Sequence, residues 1–212
     1  MGGTSITAEG VIDTFLVLLI GVGPKLALVP YVEITAALDA ATKRRVQHTM
    51  MITAGTAALL LIALGELLRG LLHFSVASLS IAGGVILLIQ AVSMVLRPSG
   101  GDKIIADRDP LQLARFPLAV PYLLNPVGIV GLVTISAEAT SVSVLAVAIG
   151  ILLVVLLIDV AVFRWANQVS AKLDEGRMLV TEKVFGFLIA AIAVQLVLDG
   201  LSAAGIIPHL VH

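Results

Sequence analysis

The sequence predicts an all-α fold, a six-span transmembrane helix bundle built from two inverted three-helix repeats, with spans one and four broken at Gly-Pro and Asn-Pro. Three observations carry this prediction: an apolar composition, six stretches of membrane-crossing length, and a self-match at one fixed offset. Hydrophobic residues make up 59% of the 212 and charged ones 13%, whereas a soluble domain carries about 25% charged residues. Each crossing of a ~30 Å hydrocarbon core needs about 20 apolar residues.

The six stretches are residues 11–34, 49–68, 76–96, 116–137, 142–163 and 184–207, and the third and fourth hold no charged residue. No Lys or Arg precedes Lys25. The first stretch therefore lacks the basic region of a signal peptide and is expected to remain as a span. The loops around residues 35–48, 97–115 and 164–183 hold eleven of the 13 basic residues. The positive-inside rule then places those loops in the cytoplasm and both termini outside.

Three spans per half make the second half enter the membrane from the opposite side. At an offset of 102, Pro24 falls on Pro126 and Gly84 on Gly186, and Ala91, Val92, Val95 and Leu96 fall on Ala193, Val194, Val197 and Leu198. Shared apolar composition produces some such matches by chance, but one ungapped offset aligns both interruptions and the Ala-Val-x-x-Val-Leu run. The expected organisation is a first repeat over residues 1–100, a cytoplasmic linker over 101–115 and an inverted repeat over 116–212. Repeats of this kind are typical of secondary transporters.

The interruptions read Gly23-Pro24-Lys25 and Asn125-Pro126-Val127-Gly128. Proline lacks the amide proton the helix ladder needs. Gly23 and Asn125 both suit an N-cap, and a proline directly after a cap sits where its missing N–H costs nothing. Each motif thus predicts the start of a second half-helix, aiming unpaired N–H groups and a positive dipole end into the membrane. At ~1.5 Å per residue, Lys25 lies roughly 21 Å from the outer face and Asn125 roughly 14 Å from the inner one. Both breaks then share a level near the midplane, where a small anion or a carboxylate would suit them. The competing explanation is that the prolines only kink their helices, as Pro30, Pro117 and Pro121 are expected to do.

Lys25 is the sharpest single residue, because a lysine at mid-membrane costs about 2.5–3.5 kcal/mol on insertion scales. It either holds a substrate carboxylate, stands in for a coupling cation or proton, snorkels to an interface, or pairs with a carboxylate of the protein such as Asp159 or Asp199. The candidate substrate-binding residues are Gly23, Pro24, Lys25, Asn125, Pro126 and Gly128. Gln90, Ser93, Gln195 and Asp199 are candidate coupling or polar-lining residues, the alternative being hydrogen bonds that join helices. Asp159 reads as an interfacial acid. No catalytic residues, metal ligands or cofactor are expected: cysteine is absent, the four histidines show no ligand spacing, and no phosphate-cradling glycine loop appears. Dispersed basic residues argue against nucleic acid.

Residues 80–88 (Ser-Ile-Ala-Gly-Gly-Val-Ile-Leu-Leu), the Pro117-Leu118-Ala119-Val120-Pro121 run leading to Asn125-Pro126-Val127-Gly128, and the stretch from Ala190 through Gln195 to Asp199 and Gly200 together resemble the MarC family, also described as neutral amino acid transporters. The resemblance covers nearly the whole chain and implies a bacterial inner-membrane protein of two inverted three-helix repeats. It further implies small neutral amino acids as substrates, moved with protons, and a site at Gly23, Pro24, Asn125, Pro126 and Gly128. The family's first motif usually reads Asn-Pro-x-Gly and its second Gly-Pro-Gly, so Lys25 stands where relatives are uncharged, and Ser93 replaces a frequent acid. The expected partners are the lipid bilayer, a small amino acid or small carboxylate, and protons, with homo-oligomerisation left open. The competing functions are a non-transporting structural or assembly protein, or a small-solute channel, which would need a continuous polar path.

Overall fold

The computed structural model describes residues 7–96, 109–169 and 175–208. The basic residues Arg97, Lys103, Arg108 and Lys172 and the histidines His209 and His212, weighed above, lie outside the described residues.

Helix α1 (Ala8–Gly21) starts at Thr7, whose hydroxyl accepts from the Gly10 amide at 3.2 Å. It ends at Gly21, and α2 (Leu28–Thr35) follows after a six-residue interruption. Gly23 was expected to cap the second half-helix, but regular helix begins only at Leu28, whose amide bonds the Pro24 carbonyl at 2.8 Å. Glycine brings no capping side chain, so the turn holding Pro24 and Lys25 carries the chain into α2. Pro30 falls in the first turn of α2, where it removes no ladder bond.

Helix α3 (Ala40–Leu72) is 33 residues long and at ~1.5 Å per residue outruns a ~30 Å core. The expected loop over residues 35–48 is mostly its first turns. Asp39 accepts from the amides of Ala41 and Thr42 at 3.2 and 3.3 Å, and its bond to Thr42 holds its carboxyl below the usual range. At the far end His73 closes the helix in the left-handed region (φ 54). Helix α4 (Val76–Leu96) opens with Ser75 and Ser78 bonding each other's amides at 3.1 and 3.0 Å.

After the short α5 (Pro110–Leu113), residues Ala114–Leu123 form wide, irregular turns in which Phe116 and Val120 are extended. The Phe116–Pro117 and Val120–Pro121 bonds are cis. A residue before proline disfavours helical backbone, so these prolines do more than kink a helix that was expected to run from residue 116. The stretch closes with an i to i−5 bond from the Leu124 amide to the Ala119 carbonyl at 2.9 Å. Helix α6 (Pro126–Glu138) then leaves at 66°. Helices α7 (Val142–Val169) and α8 (Glu175–Ala203) complete the bundle.

Among the described residues, Ala40–Leu72, Val76–Leu96, Val142–Gln168 and Lys183–Ala203 are long and apolar enough to cross a membrane. The bent pair Pro110–Leu123 and Pro126–Glu138 adds a fifth if it forms one broken span. Large apolar side chains such as Ile52, Leu67, Ile89, Leu157 and Phe187 face outward, as lipid contact allows. The main core joins α1, α2, α3, residues 114–124, α6 and α7 around Leu18, Tyr31, Met50, Leu123, Leu152 and Phe163. A smaller core binds α4 to α8 through Leu87, Ala91, Ile189 and Ala193, with Leu26 of the first interruption inserted.

Helices α4 and α8 run antiparallel on small residues, which let membrane helices approach closely. A methyl group at position 84 would stand 2.7 Å from the Ala193 carbonyl oxygen and 2.6 Å from Val197; one at position 186 would stand 3.3 Å from the Ala91 carbonyl oxygen and 2.7 Å from Val95. Overpacking such a contact costs about 1–3 kcal/mol. Gly84→Leu is therefore expected to lower the melting temperature in detergent by several degrees. Gly150→Ala meets no atom within 4 Å and should leave the melting temperature unchanged or slightly raised. Equal melting of both variants would contradict the packing.

Candidate functional site

A helix that ends inside the protein leaves its last carbonyls without partners, and one that starts there leaves its first amides bare. Asn125 answers both needs at once. It is 2% exposed, and its side-chain oxygen accepts from the Gly128 amide at 3.2 Å, capping α6. Its own amide donates to the Gly21 carbonyl at 3.0 Å, and its Nδ2 donates to the Ile20 carbonyl at 2.8 Å, closing the end of α1. Pro126 at the first helical position lacks the amide that would otherwise be orphaned.

Only glycine permits this approach. A Cβ on Gly21 would strike the Cα and amide nitrogen of Gly128, and one on Gly128 would strike the Gly21 carbonyl. The two interruptions therefore meet backbone to backbone. Gly23 is buried against the Leu19 carbonyl oxygen, Pro24 is half-buried, and Lys25 is exposed on the turn while its neighbour Leu26 enters the α4–α8 core.

Gln90 lies on the stripe of α4 that carries Gly83 and Leu87, since positions seven apart return to one helix face. Gly83 packs against Val130 and the Pro126 carbonyl of the second interruption, and Leu87 clusters with Leu26 of the first. Both polar atoms of the Gln90 amide are buried without a hydrogen-bond partner. Ser93 is exposed and donates to the Gln90 carbonyl at 2.7 Å. Gln195 donates to Asp199 at 2.8 Å. Along α8, Leu196 meets the same Gly83 and Val197 meets Gly84, so Gln195 lies at the level of that glycine pair, while Asp199 lies beside Gly200, which meets Ala77 and Ile81. Gln90 thus lies two turns from Gly83, where α4 meets the second interruption, on the face that also carries Leu87 beside Leu26.

Two features escaped the sequence reading. Asp159, expected at an interface, is 0% exposed with neither carboxyl oxygen bonded. It shares a face of α7 with Leu152, Val155 and Phe163, all of them core residues; an acid within an apolar stretch was legible, the inward face was not. The second is a polar chain joining α2, α3 and α7. The Tyr31 hydroxyl donates to Asn167 Oδ1 at 2.8 Å, Asn167 Nδ2 to Gln47 Oε1 at 3.0 Å, and Gln47 Nε2 to the Val160 carbonyl at 3.1 Å. Tyr31 also packs edge-on against Phe163 with centroids 4.9 Å apart. Gln47 and Asn167 flank predicted spans, so their positions were visible but not their pairing. Among the described residues no group of three acids or histidines is placed to hold a metal ion.

The family model described as MarC family integral membrane protein matches residues 9–205. A UPF0056 membrane protein of Buchnera aphidicola is 24% identical over 195 residues, covering 91% of this chain and 96% of the relative. One from Pyrococcus abyssi is 24% identical over 201 residues, covering 92% and 97%. One from Pyrococcus horikoshii is 27% identical over 146 residues, covering 68% of each. No solved structure matches. A match from the first turns of α1 to the end of α8 leaves no element of this bundle outside the comparison, and the chain belongs to the MarC family of integral membrane proteins.

Proposed function

We propose that this protein is a secondary transporter of a small neutral amino acid or related small carboxylate, bound beside the interrupted helices. The observation that carries the reading is the enclosed, unpartnered amide of Gln90, on the face of α4 that packs against both interruptions. A buried amide without a hydrogen bond costs about 1–3 kcal/mol by mutational measures, so such a group suits a place where a polar ligand binds. Its carbonyl oxygen would accept from a substrate ammonium, its NH₂ would meet a carboxylate, and Lys25 on the adjoining turn would add positive charge.

We further infer six spans in two inverted repeats. α1 and α2 form the first, broken span and the 114–138 segment its counterpart. The packing of Gly84 on Ala193 and Val197, mirrored by that of Gly186 on Ala91 and Val95, supports the repeat, since adding 102 to each residue of the second set's partners returns the first. In this arrangement both termini lie outside a bacterial inner membrane. Coupling to protons would fall to Asp159 rather than to Asp199. An enclosed carboxyl with neither oxygen bonded either carries its proton or gains a partner in another conformation, and either step serves a proton-coupled carrier.

The test is uptake of labelled glycine and alanine into proteoliposomes, with and without a proton gradient. Wild type should accumulate substrate only with the gradient. Gln90→Leu should lose at least about tenfold in flux, and Asp159→Asn should lose gradient-driven accumulation while keeping substrate exchange. Equal flux for Lys25→Ala and wild type would remove Lys25 from the site. The tight junction at Asn125 also suits a membrane protein that transports nothing. That alternative predicts no stabilisation by any small metabolite and no flux above empty liposomes.

A further inference from the structure

The first turns of α3 and the last turns of α7 enclose a half-open cavity of about 540 Å³, apart from the interrupted helices. Lys43, Arg44 and His48 line it from α3 and Arg164 from α7, while Met51 and Val160 supply apolar wall; among the described residues that line it none is acidic. Two acids adjoin lining residues in sequence: Asp39 is occupied in capping α3, and Asp159 is buried on the α7 face that carries the core residues Val155 and Phe163. The walls are held at a fixed spacing by the bonds from Asn167 to Gln47 and from Gln47 to the Val160 carbonyl.

The Arg44 and Arg164 guanidiniums on one concave surface repel one another unless an anion lies between them, and the N-terminal end of α3 adds its own positive dipole. The cavity also straddles two environments. The apolar run of α3 begins at Thr49, just past His48, and that of α7 stops at Phe163, just before Arg164. Charged and apolar walls therefore meet within about one helical turn, at the level where a lipid's phosphate passes into its acyl chains. A soluble anion would gain nothing from Met51 and Val160.

We propose that this cavity binds the phosphate headgroup of an anionic phospholipid, with Arg44 and Arg164 gripping the phosphate and the first acyl carbons lying against Met51 and Val160. The assignment does not depend on the transport reading. Juxtamembrane arginines and lysines strengthen attraction to anionic lipid individually, and arginine's planar fork suits phosphate oxygens.

The experiment uses the full-length protein in detergent, titrated with phosphatidylglycerol or phosphatidylcholine and followed by thermal melting and native mass spectrometry. Phosphatidylglycerol should bind saturably and raise the melting temperature, phosphatidylcholine should do neither, and glycerol 3-phosphate should not compete at equal concentration. The double variant Arg44→Gln/Arg164→Gln should weaken phosphatidylglycerol binding about tenfold or more. Its melting temperature without added lipid should match wild type, because neither side chain is buried. Arg69→Gln, at the other end of α3 and paired with Glu66 at 2.6 Å, should bind as wild type does. Equal affinity for the double variant and wild type would overturn the site, and equal competition by glycerol 3-phosphate would overturn the lipid assignment.

Discussion

Asn125→Ala is expected to lower the unfolding free energy by about 2–4 kcal/mol, a combination of a lost helix cap and a buried carbonyl left bare. The cap is the bond from the Gly128 amide, and the carbonyl is that of Ile20, reached by Nδ2 at 2.8 Å. Substitutions that keep one half of the junction separate the two contributions. Asn125→Ser retains a short acceptor for the helix start but does not reach Ile20, so it should melt between wild type and Asn125→Ala. Asn125→Asp keeps an acceptor for Gly128 yet turns a carboxylate oxygen toward the Ile20 carbonyl at a site 2% exposed. Burying an unpaired charge costs more than losing a neutral bond, so Asp should be the least stable of the three. Thermal melting in one detergent ranks them, and an Asp variant as stable as wild type would mean that the Nδ2 bond contributes nothing.

The same residue marks how far the sequence could be read. Asparagine before proline identifies a helix start from local chemistry alone, and α6 begins at Pro126 with Asn125 as its cap. Gly23 before Pro24 resembles the same signal, but glycine offers no side chain, and α2 starts four residues later. What a sequence does not carry is the partner across the fold. That Asn125 also terminates α1 depends on Gly21 and Gly128 touching, which no spacing along the chain encodes. Asp159 and Gln90 make the same point. Their residue types announced polar groups in apolar stretches, whereas which helix face turns inward is set by the packing of α7 and α4 against their neighbours. The four long helices follow from hydrophobic length, and the irregular turns from 114 to 123 follow from the backbone limits that Pro117 and Pro121 place on the residues before them.

Gly128→Ala is expected to be at least as damaging as any change at Asn125, although it adds one methyl group. The atoms in its way belong to the Gly21 backbone and cannot swing aside as a side chain does, so α1 and α6 must separate. Separation would also stretch the bonds from Asn125 to Ile20 and Gly21, coupling the steric cost to the loss of both. Overpacking alone costs about 1–3 kcal/mol, and with the junction opened the total should reach about 3–5 kcal/mol. Gly131→Ala, one turn further along α6, is the control: its methyl would stand 2.8 Å from a methyl of Val17, a side chain that can shift by a few tenths of an ångström. Fluorescence size-exclusion after heating should show a large loss of monodisperse protein for Gly128→Ala and a small one for Gly131→Ala. A double change of Gly128→Ala with Asn125→Ala should cost less than the two single effects added together, because both break one junction. Additive losses would instead mean that Asn125 and the glycine pair hold the two interruptions independently.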